Sequence, residues 1–98
     1  MIHVTDEEME IILDILNNFA KDCEVLVFGS RLKGNHKPFS DLDLAFICKE
    51  DLGLRRVSNI EYEFSESNLP YRVDVVNYNR ASEKFQRIID SDNKKIFG

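Results

Sequence analysis

With 98 residues, the chain has room for one domain around a single core, expected to span residues 1–98, and a second substrate-binding domain is not expected. Its 43% hydrophobic and 32% charged residues are ordinary for a globular protein, and no apolar run approaches the roughly 20 residues of a membrane-spanning helix. The net charge of −5 argues against a general binder of duplex nucleic acid, whose affinity comes from a basic footprint.

The chain opens on MIHVTDEEME, acidic and without a basic-then-apolar leader, so a cytoplasmic location is expected. Thr5 and Glu8 have capping-box spacing, and Met9, Ile12, Leu13, Leu16 and Phe19 recur at helical intervals. The pattern predicts a helix over 6–20. After the break at Lys21-Asp22, the β-branched and aromatic run at 24–28 predicts a buried strand that ends at Gly29-Ser30. A short helical turn is expected over 31–34, then a loop through Asn35, Pro38 and Phe39. A second strand is expected over 41–48. Its alternation sends Leu42, Leu44 and Phe46 one way and Asp41, Asp43 and Ala45 the other. Leu54, Val57, Ile60 and Phe64 mark the apolar side of a helix over 51–67, which Asn68-Leu69-Pro70 terminates. A third strand is expected over 71–78 and a last helix over 80–91, with Ala81, Phe85, Ile88 and Ile89 inward. The tail is expected to tuck Ile96 and Phe97 onto the domain. The order α-β-β-α-β-α predicts an α/β (α+β) fold, a small mixed sheet with helices packed on it.

Cys23 and Cys48 flank apolar runs. Without a secretory leader they are expected to be reduced, partly buried thiols, and neither has the spacing of a zinc site.

Three aspartates interrupt the apolar strands: Asp41, Asp43 and Asp74. A single strand aspartate is most simply explained by a solvated sheet face. Three are harder to explain that way. Asp41 and Asp43 share a face about 7 Å apart along the strand, and Asp74 joins them if the third strand lies beside the second. Like charges this close repel unless a cation lies between them, and oxygen ligands suit Mg²⁺ or Mn²⁺. Gly29-Ser30 follows a strand and opens a turn, where backbone N–H groups and a hydroxyl can hold phosphate oxygens. Arg31 and Lys33 are candidates for added positive charge. The order of phosphate loop, carboxylate pair and third carboxylate asks for a nucleoside triphosphate with a divalent metal.

These residues carry a specific resemblance. GSRLKGNHKPFSDLDL, residues 29–44, resembles the nucleotidyltransferase signature of the DNA polymerase β superfamily. Gly29-Ser30-Arg31, Gly34 and Ser40-Asp41-x-Asp43-Leu44 are similar to the minimal nucleotidyltransferases, the MNT family. The likeness extends over essentially the whole chain, including Val73-Asp74-Val75.

The resemblance implies a minimal nucleotidyltransferase fold and the antitoxin half of a HEPN–MNT toxin–antitoxin pair. It implies transfer of AMP from ATP to a hydroxyl, a tyrosine's, on the HEPN toxin. In that scheme Asp41, Asp43 and Asp74 hold two Mg²⁺ ions, and Gly29 and Ser30 hold the triphosphate with help from Arg31 or Lys33. Two other readings stay open at this point: an antitoxin that blocks its toxin by binding alone, and a small-molecule nucleotidyltransferase. Ser40 is expected to orient Asp41 or to cap the turn, and His36 to be a solvated loop residue.

Overall fold

Thr5 and Glu8 close the expected capping box. The Glu8 N–H donates to the Thr5 hydroxyl and the Thr5 N–H to the Glu8 carboxylate, each at 3.1 Å. The helix they start is α1, Asp6–Phe19. In the computed structural model, which describes residues 2–98, the chain continues through β1 (Cys23–Phe28), the single turn α2 (Ser30–Lys33), β2 (Leu42–Cys48), α3 (Gly53–Ser65) and β3 (Val73–Asn77). A 3-10 turn at Tyr78–Arg80 leads to α4 (Glu83–Ser91) and β4 (Lys94–Phe97).

The four strands form one sheet in the order β3-β2-β1-β4. β1 runs antiparallel to β2 and to β4, and β2 runs parallel to β3. A parallel neighbour needs a crossover, which α3 provides. Alternation sends Val25, Val27, Leu42, Leu44, Phe46, Val73 and Val75 to one face. There they bury against Ile12, Ile15 and Leu16 of α1 and against Ile60 and Phe64 of α3. A smaller cluster on the other face joins Phe28 and Ala45 to Ile89 and Phe85 of α4. The rest of that face carries Asp43 and Asp74, both half-buried.

The expected elements are present, with informative differences. The tail packs Ile96 and Phe97 against the main core as expected, and it does so as a strand paired along the outer edge of β1. It leads with exposed Lys94 and Lys95, which keep an edge strand from recruiting another chain. Leu54 is 89% exposed and Ile88 52%. The inward side of α3 is therefore Val57, Ile60 and Phe64, with Leu52 buried just ahead of the helix.

The reduced-thiol expectation is overturned, because Cys23 and Cys48 form a disulfide. The β1–β2 register sets the two residues directly opposite each other, and antiparallel partners place their Cβ atoms on the same face and close together. The bond spans a sequence separation of 25 residues, a closure worth about 3.5 kcal/mol by chain entropy. Reductant is therefore expected to lower the melting temperature of the oxidised protein; an unchanged midpoint would contradict a stabilising cross-link.

No helix among the described residues is long and apolar enough to cross a membrane.

Candidate active site

The site lies where β1 ends and β2 and β3 begin. The parallel register pairs Asp43 with Asp74, so the two carboxylates project side by side from neighbouring strands, about 5 Å apart at the backbone. Asp41 lies two residues before Asp43 and shares its face by alternation. The leucines between and after them, Leu42 and Leu44, are fully buried in the main core. One strand therefore serves the core with one face and a polar cleft with the other.

Gly29 closes the second side of this cleft. Its φ of +81° belongs to the left-handed region, and a Cβ added there would overlap the Asp43 carboxylate oxygen. The turn after β1 thus lies directly against the Asp43 side chain, an approach only glycine permits. Ser30 follows as the first residue of α2. Lys33 is exposed on the same turn. Gly34 ends it with φ +87°, packed against the His3 ring.

Asp43 titrates abnormally. Burial, then the charges of Asp74 and Asp41, push its pKa from 3.8 up to about 6, with Arg72 opposing. The folded state therefore binds this proton more tightly than the unfolded chain. The ionised carboxylate destabilises the metal-free fold above pH 6, and the penalty fades as the pH falls through 6 toward 3.8. Discounted for partial exposure, it is about 1 kcal/mol. Asp43→Asn is accordingly expected to raise the melting temperature in EDTA at pH 7 by a few degrees, with a smaller gain at pH 4.5. An Asn variant no more stable than the parent at pH 7 would contradict this.

A cation already answers the carboxylates. Arg72 Nη2 and Nε donate to Asp41 Oδ2 at 2.9 and 3.2 Å. Arg72 lies two residues before Asp74, on the same strand face, and was not anticipated; the period-2 rule applied backwards from Asp74 would have found it. Its pair with Asp41 is largely exposed, so it is a weak and displaceable contact.

Arg31 is placed differently from the other residues of the loop. Its side chain is buried, at 4% exposure, and its guanidinium donates to three backbone carbonyls: Ser40 O at 2.9 Å, Pro38 O at 2.9 Å and His3 O at 3.1 Å. The plane lies 3.7 Å over the Tyr71 ring. Ser40 closes the Lys37–Ser40 turn, its hydroxyl accepting from the Lys37 N–H at 2.8 Å. His36 packs against His3 with ring centroids 5.1 Å apart.

An all-oxygen set of three carboxylates, one of them protonated more readily than usual, fits a hard divalent cation such as Mg²⁺. Among the described residues, the group whose metal-capable atoms lie within 4.8 Å of one another is instead Asp22, Cys23 and Cys48. Both of its sulfurs are in the disulfide, which leaves no thiolate to ligate. A cavity of about 590 Å³ between α3 and the start of β3 is lined by Arg72, Tyr71, Tyr62 and Glu61 among others. None of the three aspartates lines it, so this cavity is separate from the carboxylate face of the sheet.

Comparison with known proteins agrees with this geometry. The family model described as Polymerase beta, Nucleotidyltransferase matches residues 10–98. A probable protein adenylyltransferase, MntA of Haemophilus influenzae, is 42% identical over 88 residues, covering 90% of this chain and 77% of that protein. A crystal structure of a toxin–antitoxin with AMP-PNP contains a chain of like fold, with TM-score 0.81 and 22% identity, over 92% of this chain and 73% of that one. So does a tri-AMPylated Shewanella oneidensis HEPN toxin in complex with MNT antitoxin, with TM-score 0.74 and 20% identity, over 94% and 71% of the two chains.

Proposed function

Because the chain belongs to the polymerase beta nucleotidyltransferase family, we propose that it transfers AMP from ATP to a tyrosine hydroxyl of a HEPN toxin and so serves as the antitoxin of the pair. The observation that carries this reading is the pairing of Asp43 with Asp74 on one sheet face, with the Gly29 turn packed against Asp43. The adenylyltransferase name of the 42% identical relative supports the chemistry. The AMPylated HEPN toxin held by a chain of like fold supports the partner. Residues 1–98 act as one nucleotidyltransferase unit, in the cytoplasm, where ATP is available.

In this reading Asp41, Asp43 and Asp74 hold Mg²⁺, as two ions, with Mn²⁺ able to substitute. When bound, the metal polarises the α-phosphate and offsets charge on the departing pyrophosphate. The chain's own residues do the rest. Gly29 and Ser30 hold the β- and γ-phosphates through backbone N–H groups and the Ser30 hydroxyl, and Lys33 adds charge from the exposed side of α2. Asp74, on the outer strand of the pair, accepts the proton of the attacking hydroxyl. The new bond joins that oxygen to the α-phosphorus, the α–β bridging bond breaks, and pyrophosphate leaves. In-line displacement of this kind depends on positioning and charge, with no covalent protein nucleophile. In this reading Arg31 is turned away from the nucleotide, since each of its three side-chain nitrogens donates to a backbone carbonyl.

The test is transfer of label to a purified HEPN protein. Label from ATP marked at the α-phosphate, dependent on Mg²⁺ and absent with γ-marked ATP, is the expected result. Label from the γ-position would make the protein a kinase, and no label from either would remove the catalytic reading.

A further inference from the structure

We infer that Arg31 is a positioning residue that braces Asp41 for metal binding, rather than a phosphate ligand. The inference rests on the reading of Asp41 as a metal-holding carboxylate.

Asp41 lies one residue outside β2, so its orientation depends on what holds the peptides on either side of it. After it, the Leu42 N–H donates to the Arg72 carbonyl at 2.9 Å. Before it, the Ser40 carbonyl accepts from Arg31 Nε at 2.9 Å. That carbonyl shares one rigid peptide plane with the Asp41 N–H. Fixing the oxygen therefore constrains the backbone torsion that aims the Asp41 side chain. Nη2 adds a second hold on the same loop at Pro38. Arg31 directly follows Ser30 in α2, so a single side chain sets the phosphate turn and the carboxylate strand at a fixed spacing. Nη1 and the Arg31 carbonyl also tie in His3 from both sides, at 3.1 and 2.8 Å.

The brace is built for rigidity. A buried guanidinium needs its donors satisfied, and three diverging carbonyls match the planar fork, which a lysine cannot reproduce. Tyr71 supports the plane from below and is itself fixed by a 3.0 Å hydrogen bond from its hydroxyl to Glu8.

The test measures Mn²⁺ binding directly, from the paramagnetic resonance signal of free Mn²⁺, in the presence of an ATP analogue uncleavable between the α- and β-phosphates. Arg31→Lys keeps the charge and loses the fork. It is expected to raise the Mn²⁺ dissociation constant at least fivefold, while metal-free analogue binding stays within twofold of the parent. Ile12→Val, a core change on the sheet face opposite the carboxylates, controls for general destabilisation and is expected to leave Mn²⁺ binding unchanged. Tyr71→Leu removes the supporting ring but keeps every Arg31 donor; it is expected to raise the constant about twofold and decides the matter alone if Arg31→Lys does not fold. Unchanged Mn²⁺ binding in the folded variants would overturn the brace. So would loss of metal-free analogue binding with normal Mn²⁺ affinity, which would make Arg31 a phosphate ligand. If Asp41→Asn leaves the parent's Mn²⁺ binding intact, the underlying metal reading fails first, and the brace fails with it.

Discussion

Replacing Asp41 and Asp43 together by Asn is expected to reduce AMP transfer by about a thousandfold or more, because the change removes two of the three anionic oxygen groups and leaves weak neutral ligands in their place. The isosteric change keeps the volume and the strand. The Leu42 and Leu44 side chains remain in the core, and the burial of charge and the repulsion that lift the Asp43 pKa are both relieved. The double variant should therefore be folded while inactive, a combination that general damage does not produce. It should also still bind a HEPN partner, since Asn keeps the shape of Asp and the surface around it. Measuring transfer and complex formation on one preparation separates the catalytic reading from simple blocking. A double variant that keeps full transfer would end the metal-carboxylate account. One that lacks transfer but protects cells fully would favour an antitoxin that works by binding.

Gly29→Ala is expected to lower activity by about a hundredfold and stability by about 2 kcal/mol. Two causes add. An alanine at φ +81°, ψ −157°, a region used essentially by glycine alone, costs about 1 kcal/mol or more from backbone sterics alone. Its Cβ would also overlap Asp43 Oδ2 and lie 3.2 Å from Asp43 Cγ, so the carboxylate must move, and displacements near 1 Å can cost about a hundredfold in rate. A double-mutant cycle isolates the second cause. In an Asp43→Ala background the overlap is gone, and the stability cost of Gly29→Ala should fall to about 1 kcal/mol. The same cost in both backgrounds, read from denaturant midpoints, would show that the turn and the carboxylate are not in contact.

Much of the site was legible because strand alternation is a strong signal. Leu42 and Leu44 had to face inward, which fixed Asp41 and Asp43 on the opposite face, and Asp74 repeated the pattern inside Val73 and Val75. What the sequence does not carry is register and depth. The neighbouring places of Asp43 and Asp74, and the opposition of Cys23 and Cys48, both depend on how strands slide past one another. Only the first could be argued in advance, from charge; the second yielded the wrong expectation because compartment was the only available guide. Depth explains Arg31. Next to Ser30 in a phosphate-type loop, a cation reads as a ligand for anions. Its burial under the 37–40 loop comes from tertiary closure of residues nine and twenty-eight positions away. β4 was missed because four residues headed by two lysines have too little apolar pattern to register as a strand, and pairing with β1 supplies the rest.

Modification of a protein with AMP is the activity proposed for these carboxylates. The measurement that tests it most directly is the intact mass of a purified HEPN partner after incubation with this chain, ATP and Mg²⁺. The expected result is a gain of one or more whole AMP units on the partner, lost when EDTA is added and lost with the Asp41→Asn, Asp43→Asn variant. A partner mass that stays unchanged while the two proteins form a stable complex would contradict it.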